Sequence, residues 1–329
     1  MDDWRSWPDF TPKDLKFLDR QTALLYLTTH DLLANCPDLD RARSAVHAAV
    51  GPARTDPDAM YRWAARIPPD SAEPVTQAQS LPMIQPAGAI GLLPNTPLSW
   101  LSIKLGLTGD CGVWAGFEDA GFAALSAARD AISCEAASQA LVAAVSSPDN
   151  YFVLDGFKRG FHSPICAPVE IGVALHLRCT NSASGDVSPR INALAAFPSG
   201  TSVETVLDII TKQSLCDLHE NSASQKTLLL TPLNPQNAII DGIDGRADLS
   251  GRIGASMPAA LPLAISFAGQ CVFGKNPVAI IIAAPFGSIY AAVVTPAPLL
   301  SVDPKSWPAP LSMVSEVTSA NASCSGNKQ

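Results

Sequence analysis

The sequence predicts an α/β protein. Short branched or apolar runs of strand length, Gly112 to Phe117, Ala136 to Val145 and Val169 to Leu177, alternate with longer stretches of helical period, Asp14 to Leu33, Ala120 to Ile132 and Ser202 to Leu215. The order helix, strand, helix, strand also recurs in each half of the chain, although residue identity between the halves is too weak to define a repeat. At 329 residues the chain can bury an ample core, so one large α/β unit and two fused similar halves are both admissible.

Residues 1 to 15 mix Trp4, Trp7, Pro8 and Pro12 with charges and have no period, which predicts an arm packed on the body or on a partner. In the first helix Leu15, Leu18, Leu25, Leu32 and Leu33 recur at helical spacing, with Thr11 and Asp14 as candidate caps. A short strand, Ala42 to Val50, is expected next. Between Gly51 and Ala89 seven prolines without periodicity mark a surface excursion holding at most one helix, Pro57 to Ile67. Ala136 to Val145 and Val169 to Leu177 read as buried strands. Ser202 to Leu215 is amphipathic, with Thr201 or Ser202 as its cap. Thr227 to Leu233 reads as a strand and Gly254 to Phe267 as a small-residue helix. Val278 to Ala284 and Ala291 to Thr295 read as a strand pair around the turn Pro285 to Ser288. The tail from 301 to 329 is expected to be mostly disordered.

Composition excludes some functions. A net charge of −8 argues against nucleic acid, whose backbone demands a basic face. Hydrophobic residues make up 47% and charged residues only 16%, which predicts a sizeable subunit interface. Eight cysteines stand singly, with no C-x-x-C pair and no zinc spacing, so no metal is expected, and those in apolar runs read as buried in a reducing compartment. MDDWRSWPDF lacks a positive n-region and an apolar h-region, and no stretch is long and apolar enough for a span. A cytoplasmic protein without signal peptide is expected.

The chemistry centres on Leu93 to Leu125. Glu118 falls where a strand-like run meets a helix, and a helix N-terminus supplies N–H donors and a positive dipole end that favour an anionic nucleophile. A carboxylate there is stabilised equally well but is a poor acyl acceptor at neutral pH. Cys111, seven residues earlier, has no neighbouring histidine and is expected to be buried. His30, His47, His162, His176 and His219 read as surface or locally hydrogen-bonded groups.

Leu93-Pro94-Asn95, Ser102-Ile103, Leu105-Gly106-Leu107 and Gly109 resemble the β-ketoacyl synthase (thiolase-like) pattern L-P-N-x-x-x-x-x-x-S-I-x-L-G-L-x-G, with spacing kept to Gly121 and Ala124-Leu125. Leu18-Asp19-Arg20-Gln21-Thr22 resembles the family's helix before its first core strand pair. Similarity runs weakly from about Lys16 to Thr295. The resemblance implies a five-layered αβαβα fold of two pseudo-symmetric halves, 1–196 and a shortened 197–300, with an opening strand missing ahead of the first helix. It places the family's catalytic cysteine on Glu118. The two histidine motifs fall on Thr231 to Asn234 and on Gly251-Arg252, where the histidines are absent.

The chain therefore resembles chain-length factors, the inactive partners of ketosynthases, although those commonly carry glutamine where Glu118 stands. That resemblance implies a heterodimer with an active ketosynthase in polyketide, polyene or fatty-acid-like elongation. The substrate would be the phosphopantetheine arm of an acyl carrier protein, with no cofactor of the chain's own. Trp114, Phe117 and Phe122 beside Glu118 are then expected to form a tunnel wall or gate. Lys158 and Arg159, in the basic aromatic loop before His162, are expected to meet the carrier protein. The alternatives are a decarboxylase or acyltransferase acting on malonyl or acyl carrier protein, and a homodimeric acyl-binding module.

Overall fold

The computed structural model describes residues 10–14, 18–52, 93–147, 168–179, 189–217, 228–230, 254–269, 277–284 and 287–295. All of these fall in one unit, Met1–Ala297, and residues 298–329 form a second unit outside them. The expected helix Pro57 to Ile67 and the disordered tail also lie outside the described residues.

Helix α1 (Arg20–Asn35) starts at Asp19, whose carboxylate accepts from the Thr22 amide at 2.7 Å and the Thr22 hydroxyl at 2.6 Å. The expected start near Asp14 is corrected. Thr11 and Asp14 serve each other instead, the Thr11 amide donating to Asp14 Oδ2 at 2.9 Å and the Asp14 amide to Thr11 Oγ1 at 3.3 Å.

Strand β1 (Ala45–Val50) is buried along its whole length. Helix α2 (Thr96–Leu105) stops at Gly106, which takes φ 66°, a left-handed conformation that costs glycine little. Strand β2 (Cys111–Ala115) then feeds α3 (Glu118–Ser133), followed by β3 (Gln139–Ser146), β4 (Ile171–Arg178) and β5 (Arg190–Phe197). Helix α4 (Val203–Asp217) is capped by Ser202, whose hydroxyl accepts from the Thr205 amide at 3.2 Å. After β6 (Leu228–Leu230), a 3-10 turn at Met257–Ala259 runs into α5 (Ala260–Gly269). The hairpin β7 (Val278–Ala283) and β8 (Ile289–Thr295) closes the unit.

The strands form two sheets. The first has order β2-β1-β3-β4, with β1 parallel to β2 and β3, and β4 antiparallel to β3. The second has order β5-β8-β7-β6, with β6 parallel to β7, β7 antiparallel to β8, and β8 antiparallel to β5. The triplets β1-β3-β4 and β6-β7-β8 thus repeat one topology.

Alternation along β1 and β3 sends Ala45, Ala49, Ala140, Val142 and Ala144 into a core shared with α3, α5, β7 and β8. The intervening Val46, Ala48, Val50, Leu141 and Val145 pack under α1 and α2. Helix α4 covers the far face of the second sheet through Val206 and Ile210. Helices α3 and α5 therefore lie between the sheets. Helix α3 approaches the 3-10 turn that opens α5 so closely that a Cβ on Gly121 would sit 2.2 Å from the Pro258 carbonyl oxygen.

Two expectations are corrected. β4 is a half-buried edge strand, since only Val173 is buried along it. Cys111 is exposed rather than buried, because β2 is also an edge. Strands β1 and β3 pair directly over five residue pairs from Ala45↔Ala140 to Ala49↔Ala144.

Candidate functional site

Strand β2 delivers the chain to the junction. The Gly116 amide donates to Val50 O at 3.0 Å, and the Phe117 amide donates to Asp119 Oδ1 at 2.9 Å, so Asp119 ties back the turn from which α3 rises. Gly116 leaves room for this, since a Cβ there would meet the Asp119 carboxylate at 2.8 Å. Glu118 lies at the expected strand-to-helix junction and is fixed as the first residue of α3, two residues ahead of the expected helix start at Ala120, and is buried at 6% exposure.

Burial raises the Glu118 carboxyl from 4.5 to about 7; a hydrogen bond to its own backbone N–H works against the rise, and the Asp119 charge adds to it. The helix dipole favours a carboxylate here, but loss of water outweighs it. At neutral pH the group is divided between acid and anion, unlike a preformed nucleophile.

The structure gathers part of the expected wall. Phe122, one turn along α3, stacks on Tyr290 of β8 with ring centroids 4.9 Å apart and planes at 27°. The Tyr290 phenol is raised by burial and by Asp119 and Glu118 together, with a Ser288 hydrogen bond opposing. Tyr290 therefore joins Glu118 and Asp119 in one cluster built from α3 and from β8 of the second sheet. Its position after the Gly287 turn gave no sequence sign of this.

Trp114 stands apart on edge strand β2, 38% exposed, and Phe117 is half-buried at the N-cap of α3. Lys158, Arg159, His162, His219, Thr231 to Asn234 and Gly251-Arg252 lie outside the described residues.

His47 departs from expectation. It lies within β1 on the face that looks toward α3 and is 5% exposed, and neither ring nitrogen has a hydrogen-bond partner among the described residues. Burial lowers its pKa, with Asp110 opposing. Gly112, its neighbour on β2, makes way for the ring: a Cβ there would lie 2.9 Å from His47 Nδ1. His176 bonds Gln139 Oε1 at 2.7 Å and His30 is exposed beside Asp31, as expected of locally satisfied groups. Among the described residues no cluster of His, Cys, Asp and Glu has the arrangement to hold a metal ion, and no helix is long and apolar enough to cross a membrane.

This two-sheet α/β architecture, with paired helices between the sheets and a strand-to-helix turn opening one of them, defines the class. The fold is thiolase-like, the one seen in solved ketosynthases. One similar structure is the complex of a type II PKS acyl-carrier protein with its ketosynthase bound to a hexaketide, at TM-score 0.64 and 14% identity over 88% of each chain. Another is the PfaC keto synthase–chain length factor, at 0.62 and 11%, covering 86% of this chain and 35% of that longer one. A third is the ishigamide ketosynthase/chain length factor, at 0.55 and 12% over 88% and 83%. No family model and no curated protein matches the chain.

Proposed function

We propose that this chain is a non-catalytic, chain-length-factor-like subunit that pairs with an active ketosynthase and walls the tunnel in which an acyl chain grows on a carrier protein's phosphopantetheine arm. The observation that carries this reading is the buried Glu118 carboxyl at the strand-to-helix turn. In this reading the turn keeps the frame of an acyl-transfer site, while the group that stands in it is a buried carboxyl and not a thiol.

Edge strand β2 supports the pairing. Cys111, Trp114 and Ala115 are exposed along it, and an open edge with apolar side chains is a ready surface for another subunit. Resemblance to neighbours described as ketosynthase/chain length factor agrees with the role.

A second reading draws on a different observation. A carboxyl titrating near 7 has the affinity a general base needs, which keeps a decarboxylase acting on a malonyl carrier protein in view.

The test is product mass from the assembled complex. Trp114→Ala and Phe117→Ala are expected to lengthen products, because they open volume at the subunit boundary, and Glu118→Ala is expected to leave condensation largely intact. Unchanged product length would return both aromatics to a packing role. Loss of condensation by orders of magnitude in assembled Glu118→Ala would favour the decarboxylase.

A further inference from the structure

His47 has no task in the cluster around Glu118. Its ring is 5% exposed, and neither ring nitrogen has a hydrogen-bond partner among the described residues. A buried polar group left in that state costs the chain stability, so its presence calls for a partner that the free chain does not supply.

Register shows from which side such a partner can come. His47 pairs with Val142 on its inner side and with Gly112 on its outer side, and directly paired residues of neighbouring strands project to the same face. Val142 is fully buried and closes the inner side. Gly112 has no side chain, and β2 is the last described strand in that direction. Between the imidazole and the sheet edge, β2 therefore sets only backbone at this position.

A second polar group converges on the same place. A Cβ on Gly112 would lie 2.9 Å from His47 Nδ1 and 3.6 Å from Trp114 Nε1, so imidazole and indole nitrogens flank one notch over Gly112. Trp114 follows Gly112 by two residues along β2, on the same face, and is 38% exposed, so the notch opens at the edge.

Chemistry selects the occupant. The indole N–H only donates, whereas a neutral imidazole offers one donor and one acceptor. An ammonium or guanidinium cannot accept from the indole. A carboxylate would bring a second negative charge beside Asp110, which lies close enough to His47 to act on its charge. A hydroxyl or a carboxamide both accepts and donates, and so fits the pair whichever ring nitrogen holds the proton.

We propose that the notch over Gly112 receives a hydroxyl or carboxamide side chain of the subunit that covers β2, which accepts from Trp114 Nε1–H and forms a second hydrogen bond with His47 Nδ1. The inference rests on β2 as the pairing edge and adds a residue-level selector to it. A partner with an apolar residue at that place would leave both nitrogens dry and unpaired, so the notch discriminates among partners.

The test is a double-mutant cycle on the complex of the full chain with a co-expressed, cysteine-bearing ketosynthase, its dissociation read by sedimentation across a dilution series. His47→Leu and Trp114→Phe are each expected to weaken pairing by about tenfold. The double variant is expected to lose little more than either single one, because one partner group serves both nitrogens. In the chain expressed alone, His47→Leu is expected to melt above the parent. A ring that only fills space would leave the affinity unchanged. Parental affinity in either single variant, or losses that multiply in the double variant, would overturn the proposal. So would a lone His47→Leu chain that melts below the parent, since the ring would then be satisfied without a partner. A parent chain that does not pair with the ketosynthase at all would overturn β2 as the pairing edge, and the notch's role with it.

Discussion

Glu118 links the site to stability through its proton. The folded chain holds that proton more tightly than the unfolded chain, where the carboxyl titrates near 4.5, so protons are taken up on folding between pH 4.5 and about 7. Stability from this group is therefore fully present below 4.5, falls as pH rises through the window, and levels above it. The shift corresponds to roughly 3 kcal/mol. Glu118→Gln keeps the shape without the charge, so its stability relative to the parent is expected to rise by up to about that amount between pH 4 and pH 8 in denaturant melts. Parallel pH curves for the two proteins would show that Glu118 is not desolvated. His47 has the opposite sign. Its folded pKa is lowered, so it costs stability as pH falls below about 6.5, where the unfolded imidazole takes up a proton. A buried ring with no hydrogen-bond partner among the described residues also costs at neutral pH, and His47→Leu is expected to stabilise the chain by about 1–3 kcal/mol, more so in acid. A lower melting temperature at pH 5 would mean that the imidazole has a role beyond filling space.

At the scale of elements, the family-like residues turn out to hold strands and helices in register. Asp19 caps α1, Arg20 pairs with Glu170 ahead of β4, and Gln21 accepts from the Gly51 amide at 2.9 Å where β1 ends. Gly109 lies where a Cβ would come within 2.0 Å of Ser44 O, and Gly106 closes α2. These needs are local or pairwise, which is why the motif spoke clearly in sequence. Glu118 at the head of a helix was legible for the same reason. Strand β5 was not, because its Arg-Ile-Asn-Ala-Leu-Ala-Ala-Phe run is poor in branched residues and is broken by a register shift between Ile191 and Ala193. The depth of His47 and the exposure of Cys111 depend on which strands lie central and which at an edge, a property of the sheet that no single run carries. Gly121 offers a test of the packing between the sheets. Gly→Ala within a helix ordinarily stabilises by up to about 1 kcal/mol. Here the new methyl would meet the Pro258 carbonyl, part of a backbone turn that cannot swing aside, and Gly121→Ala is expected to cost about 1–3 kcal/mol instead. A melting temperature equal to or above the parent's would mean that the α3 and α5 layers pack less tightly than this.

For the whole molecule, edge strand β2 is the surface on which the proposed pairing can be tested. Edge β2 exposes Trp114 and Ala115 along a side that no described strand pairs, and a chain of 47% hydrophobic residues has apolar surface to hide. Expressed alone, the chain is expected to aggregate or self-associate, and to become a defined heterodimer when co-expressed with a cysteine-bearing ketosynthase, because the partner buries surface that only the complex can hide. Sedimentation of the chain with and without the partner measures this, and a well-behaved monomer alone would remove the reason for an obligate partner. Ala115→Lys sharpens the test. Ala115 is exposed, so a lysine there disturbs no core, yet it sets a charge on the strand edge that the partner must approach. The variant is expected to show less self-association while losing the ketosynthase on co-purification. Retention of the partner at parental yield would show that the subunits meet through some surface other than β2.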